Sequence, residues 1–349
     1  MKKITVLVTG VGGTPGQSVM KGLRLSTKFD CRIIALDAEP MSAGLYRADA
    51  AYIMPFANTN EYLPRLIDIC KREKVQIVMV ASTPEVPVIA RNKIIIEKET
   101  GAFVLTSDSK IVDMCADKYL TFKFLKDNGF RYPETVDAGN PKAVERIIDK
   151  CGFPLILKPN EGCAAKGVYK IDSFEKFEHH HNPKKPSVLQ EYLEPDDEEY
   201  TAGLFFDSKS ICQGTIAMKR ELVAGGTYRG IVDEYKEINK ELRNVASALK
   251  AIGPINFQFR LTSRGPVIFE INPRFSCSDG MRAQLGYNSP EASVRHFVLG
   301  EPDVTSSLKW RTGVSMRYMN EVLVPIKAYE KMARDRHLAN PESKLFEGF

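Results

Sequence analysis

The chain has 349 residues, 43% of them hydrophobic, and a formal net charge of +5, which suits two or three globular domains and gives little support for nucleic acid as a partner. No apolar run approaches the roughly 18 residues of a membrane span, and the opening one is too short for a signal-peptide core, so a soluble, cytoplasmic protein with no membrane partner is expected. Seven cysteines, an odd number with no C-x-x-C pair, fit reduced thiols better than a disulfide framework or a zinc site.

Residues 3–9 read as a strand that breaks at Gly10-Val11-Gly12-Gly13-Thr14-Pro15-Gly16, and residues 18–25 have helical spacing. Further strands are expected at 32–36 and 75–81 and helices at 62–71 and 87–100. This alternation implies a parallel sheet covered on both faces. The glycine turn, with Asp37 about twenty residues on, also matches a dinucleotide-binding fingerprint, so an NAD(P)-binding domain stays open as an alternative.

A domain boundary is expected near residue 112. Lys118 sits early in an amphipathic helix that stops at Gly129. Residues 154–159 form a buried-strand run ending in Lys158, a cation that needs a partner. The small-residue loop 160–167 follows, with Lys166 in it, and such a loop lets backbone amides approach phosphate oxygens. Residues 188–193 read as a strand leading to the acids Glu198-Glu199, and 201–206 as another. His179-His180-His181 lacks carboxylates or cysteines at ligand spacing, so no metal role is assigned to it. The stretch from Lys219 to Gly230 is polar and punctuated by glycines, suited to closing over an acceptor, and residues 327–337 read as a solvated helix.

The most informative run is Val267-Ile268-Phe269-Glu270-Ile271-Asn272-Pro273-Arg274-Phe275. Alternation along a strand puts Glu270 and Asn272 on one face, with Arg274 close behind, and Phe269 and Ile271 in a core. Asn256-Phe257-Gln258-Phe259-Arg260 repeats the pattern, and 262–266 has hairpin-loop composition. A loop centred on Arg264 sets Gln258 opposite Glu270, Cβ atoms about 5 Å apart. Oxygen donors with one negative charge suit Mg²⁺ that takes its other ligands from phosphates and water. A plain surface ion pair between Glu270 and Arg274 is the alternative.

An initial lysine, a strand lysine, a small-residue loop, an apolar strand ending in acids and a metal hairpin, in that order, resemble the ATP-grasp superfamily and its carbamoyl-phosphate-synthase-like branch. The fold this implies is α/β: an N-terminal Rossmann-like pre-ATP-grasp domain (1–112), then the two α+β subdomains of an ATP-grasp fold (113–320, divided into 115–195 and 196–320), then a C-terminal helix and tail (321–349). The resemblance puts Lys118 and Lys158 on ATP phosphates, Lys158 also near the adenine. It makes Gln190, Glu191, Tyr192 and Leu193 the strand against the base, and gives Glu199 the ribose hydroxyls. It further places Gln258, Glu270 and Asn272 around Mg²⁺, with Mn²⁺ as a substitute, and Arg274 on the γ-phosphate. The glycine turn of the first domain faces the substrate side in such proteins rather than NAD.

Activating a carboxylate as an acyl phosphate lets an amine attack it, so the expected reaction joins a small-molecule carboxylate to an amine, releasing ADP and phosphate. Arg229 and Arg282 are candidates to grip the carboxylate bidentately. Activation of bicarbonate through carboxyphosphate is a second possibility. The identity of both substrates and the oligomeric state stay open, a homodimer included.

Overall fold

The computed structural model describes residues 1–162, 166–318 and 320–345. Three large sheets organise it, beside a two-stranded pairing of Val322–Leu323 with Lys344–Leu345. The first is built on Lys3–Val8, flanked by parallel partners Asp30–Asp37 and Ile77–Met79, with Ala50–Ile53 and Phe103–Leu105 outside them. Their apolar runs are buried on both faces, as a parallel sheet between helical layers requires.

The expected βα alternation is present, with three differences. The helix read at 87–100 is two helices, Glu85–Arg91 and Lys93–Thr100, divided at Asn92. The short strand Ala50–Ile53 carried no readable period. The C-terminal helix Ile326–Asp335 is mostly exposed as expected, but it buries Met332 in the first core, and the strand His337–Ala339 after it pairs antiparallel with Ala50–Ile53. The C-terminal segment thus returns to the first sheet.

The second sheet has four antiparallel strands in the order Thr135–Asp137, Ser187–Glu191, Leu155–Pro159, Tyr169–Ile171. The helix Pro141–Cys151 covers its apolar face; it starts with Asn140 capping the Ala143 amide and Pro141 at its first position. The third sheet has six antiparallel strands in the order Gly265–Asn272, Gly253–Thr262, Glu199–Phe206, Cys212–Val223, Gly226–Val232, Gly313–Met316. The stretch from Lys219 to Gly230 is therefore a β-hairpin rather than a loose flap, with Val223 paired to Gly226 across its turn. The helix Lys236–Leu249 backs this sheet through Leu242, Val245, Ala246 and Leu249.

Candidate functional site

A cavity of about 230 Å³ opens between the second and third sheets. Lys158, Gln190 and Glu191 line it from one side, and Glu199, Arg220, Gln258, Arg260 and Glu270 from the other; Lys118 and Lys166 line it too. Tyr192 and Leu193 also line it, just beyond the end of their strand.

The hairpin pairing is the one read from the sequence, reached by a different route. Gln258 lies opposite Glu270 and Asn256 opposite Asn272, but the turn is a two-residue one with Thr262 paired to Gly265. That register alone would offset the polar pair by one residue. A bulge between Gln258 and Phe259 admits one extra residue on the partner strand, Phe269, and restores it. The expectation that Phe269 packs in the core is corrected as a consequence. Ile268 and Ile271 point inward, whereas Phe269 is half-buried and lines the cavity, with the Lys158 ammonium 5.6 Å from its ring centre.

The three expected metal residues converge. Gln258 Nε2 donates to Glu270 Oε1 at 3.2 Å, and Asn272 Nδ2 donates to the same oxygen at 2.8 Å. Arg274 donates from Nη2 to Asn272 Oδ1 (3.2 Å) and from Nε to Thr83 Oγ1 (2.9 Å), so a loop of the first domain is tied to the strand Gly265–Asn272. Glu270 and Arg274 are both half-buried, unlike a surface pair. One carboxylate and two amides are hard oxygen donors that fit Mg²⁺, an ion that keeps waters and phosphate oxygens as its other ligands. Among the described residues there is no group of three or more His, Cys, Asp and Glu side chains able to hold a metal. The His179–His181 run is engaged in ring stacking instead, His180 on Tyr169 and His181 on Phe177.

Across the cavity, Lys158 donates to Gln190 Oε1 at 2.7 Å, and Gln190 is held by its own donation to Thr135 Oγ1 at 2.7 Å. Burial pulls the Lys158 ammonium down to about 7; Glu270 opposes the shift and Lys118 adds to it. A buried lysine poised at neutrality, beside a neutral amide, fits an anionic ligand that restores its charge. Lys118 begins the helix Lys118–Asp127, which Asp117 caps by accepting from the Tyr119 and Leu120 amides. Its Nζ reaches the carbonyls of Asn160 (3.3 Å) and Gly162 (3.4 Å), at the start of the small-residue loop. Positions 163–165 of that loop lie outside the described residues.

Glu191 accepts from Arg264 (2.6 Å) and from the Glu134 amide (3.0 Å), so its carboxylate is already engaged by protein donors. Glu199 lies between two arginines the sequence did not single out as site residues: Arg220 at 2.7 Å and Arg260 at 3.5 Å. Arg220 also donates to Gln258 Oε1 at 2.8 Å, linking the ribose candidate to the metal candidate. Alternation was the signal available for both, since Arg260 follows Gln258 by two residues and Arg220 precedes Leu222, another lining residue, by two.

Two carboxylate-gripping candidates are not where such a role needs them. Arg229 is exposed and paired with Glu221, its cross-strand partner, at 2.8 Å, and is not among the residues that line the cavity. Arg282 is fully buried, donating to Ser276, Thr201 and Asn256 and lying 3.5 Å from Asp279. Its guanidinium packs where Gly203 has no side chain, a Cβ there coming within 2.7 Å of Nη1. Arg282→Met is therefore expected to cost about 3–5 kcal/mol of stability in urea unfolding by stranding Asp279. A variant of unchanged stability with a raised KM for a carboxylate would return Arg282 to the list of ligand contacts.

In the first domain, Asp37 accepts from the Gly12 amide (2.6 Å), the Glu39 amide (3.1 Å) and the Ser42 hydroxyl (2.7 Å). A Cβ at position 12 would fall 2.3 Å from Ser42 Oγ, so this glycine is required by close packing of the loop on Asp37. The carboxylate holds its own turn, and the dinucleotide alternative gains no support from it.

Residues 6–104 match the family model of a PylC-like N-terminal domain, and residues 115–278 match that of an ATP-grasp domain. The carbamoyl phosphate synthase large chain of Saccharolobus islandicus (strain L.S.2.15 / Lassen #1) is 24% identical over 298 residues, covering 78% of this chain; the chain spans only 27% of that relative's length. Among solved structures, N5-carboxyaminoimidazole ribonucleotide synthetase from Thermotoga maritima superposes with a TM-score of 0.64 at 19% identity, covering 93% of this chain and 81% of that one. The biotin carboxylase domain dimer of Hydrogenobacter thermophilus 2-oxoglutarate carboxylase, in complex with MgADP, ADP and bicarbonate, gives 0.65 at 14% identity, covering 90% and 73%. No helix among the described residues is long and apolar enough to cross a membrane. The chain therefore carries an ATP-grasp domain, at residues 115–278, behind a PylC-like N-terminal domain.

Proposed function

We propose that this protein is an ATP-dependent carboxylate–amine ligase. The observation that carries the reading is the convergence of Gln258 and Glu270, with the buried Asn272 hydrogen-bonded behind them, across one cavity from a buried, near-neutral Lys158. Mg²⁺ (or Mn²⁺) held by these three side chains would offset triphosphate charge and polarise the γ-phosphoryl group. Lys118 and Lys158 contact phosphates from the opposite wall, and Lys166 is placed to add charge from the loop. The backbone at Gln190–Leu193 borders the base, Glu199 takes the ribose hydroxyls, and Arg274, held by Thr83 and Asn272, steadies the transferred phosphoryl group. The carboxylate oxygen takes the γ-phosphoryl group and ADP leaves. The amine nitrogen then attacks the carbonyl carbon of the acyl phosphate, the bond to the phosphate oxygen breaks, and the nitrogen loses a proton. Positioning and fixed charge carry the rate. The domain division at residue 112 and, from the unpaired state of the six described cysteines, a cytoplasmic location belong to the same reading.

The test is ADP release across a panel of carboxylates with hydroxylamine as the trapping amine. Formation of one hydroxamate with stoichiometric ADP is the expected result, and AMP with pyrophosphate would refute it. Likeness to carbamoyl phosphate synthase favours one second reading, activation of bicarbonate, for which ADP release would depend on bicarbonate alone.

A further inference from the structure

A polar seam lies between the first domain and the third sheet. Arg317, just past the last strand of that sheet, donates from Nε to the Thr227 carbonyl at 2.7 Å and from Nη2 to the Cys277 carbonyl. Ser18, on the first-domain helix Thr14–Arg24, donates to the same Cys277 carbonyl at 2.8 Å. Ser278 Oγ donates to Thr227 Oγ1 at 3.0 Å. The seam therefore has a floor of hydroxyls and carbonyls already fixed by both domains.

Three cations gather at this seam from three separate elements. Lys21 lies one turn after Ser18 on the same helix face, Arg47 ends the short helix Ala43–Arg47, and Arg317 comes from the third sheet. Among the described residues, no carboxylate lies within ion-pair distance of any of them. Their mutual repulsion is felt: Lys21 sits below its usual range, through partial burial first and then through Arg317 and Arg47. The field reaches Cys277 as well. Burial works against ionisation of that thiol, yet its hydrogen bond to Thr227, with Arg317, Ser278 and Arg220, brings it below the ordinary thiol value. Arg220, which lines the cavity, also acts on this thiol, so Cys277 feels both the cavity wall and the cation cluster.

Like charges collected without a counter-ion raise the energy of the free protein and lower it again when an anion arrives. We propose that Lys21, Arg47 and Arg317 bind a multiply charged oxyanion group, a phosphate monoester or a dicarboxylate, carried by the substrate of the ligase reaction. The proposal rests on the ligase reading and adds the substrate's chemical class to it.

The experiment saturates the full chain with Mg²⁺ and a non-hydrolysable ATP analogue, so that the nucleotide phosphate site is filled. Inorganic phosphate, glutarate and acetate are then titrated calorimetrically at fixed ionic strength. At least one dianion is expected to bind about tenfold or more tightly than acetate. Lys21→Gln combined with Arg47→Gln, both at exposed positions, should weaken that binding by about tenfold or more, since two charge-assisted hydrogen bonds are lost. A preference for phosphate marks a phosphate monoester, and a preference for glutarate a dicarboxylate. Dianion affinity indifferent to the two substitutions, or no dianion binding by the wild type, overturns the proposal. Nucleotide binding is read separately: its absence in the wild type would remove the ligase reading, whereas intact nucleotide binding with an unresponsive anion would remove this site alone.

Discussion

Glu270→Gln is expected to lower kcat/KM by about 10²–10³-fold, the range found when one pre-organised charge-stabilising group is removed from an active site. Glu270 is the one carboxylate among the three converging side chains, so the variant takes the only formal charge from the metal set. The substitution keeps shape and an acceptor oxygen, so Gln258 and Asn272 retain a partner for the nitrogens they now donate. Two consequences add. The divalent ion loses its single anionic ligand, and Lys158 loses the nearby charge that supports its ammonium form. The check is ADP release at fixed Mg²⁺ together with a thermal melt. Wild-type turnover in a folded Glu270→Gln protein would end the assignment of this hairpin as the metal site.

The hairpin also shows how far the amino-acid sequence could be read. Alternation of polar and apolar residues placed Gln258, Glu270 and Asn272 on one face, because a strand's period of two is a local property. The bulge that makes the pairing work was not legible, because it depends on which two-residue turn the chain adopts at 263–264, and that is decided by twist and packing across the whole sheet. Phe269 followed the bulge into the cavity. Charged residues divide the same way. Lys158 was readable because a lysine ending an apolar strand needs a partner. The fates of Arg220, Arg229 and Arg282 were not, because the same guanidinium can line a cavity, pair on a surface or brace a core, and only the neighbours decide. The short strands Ala50–Ile53 and His337–Ala339 hold each other across most of the chain length, so neither carries enough local pattern to announce itself.

Lys158 yields the second large effect, and its sign can be worked out. In the free protein its ammonium titrates at about 7 instead of the ordinary 10.5, so near pH 8 it is mostly neutral. Phosphate oxygens beside it favour the charged form and raise that value. Nucleotide binding at pH 8 should therefore take up close to one proton, and binding at pH 6, where the lysine is already charged, close to none. Calorimetric titration in two buffers of different ionisation enthalpy measures this directly. Lys158→Met should abolish the uptake at pH 8 and weaken nucleotide binding by about 10²-fold, as expected for loss of a buried charge-assisted contact. Stability moves in the opposite direction. Because the folded-state value lies below the unfolded one, the unfolded chain binds more protons between about pH 7 and 10.5, and wild-type stability gains from this residue as pH rises through that window. The methionine variant carries no buried ammonium, so its stability advantage over the wild type should be largest below pH 7 and fade towards pH 10. An uptake near zero at pH 8 in the wild type would mean that Lys158 is already charged before the ligand arrives, and the account of a neutral lysine recharged by phosphate would fail.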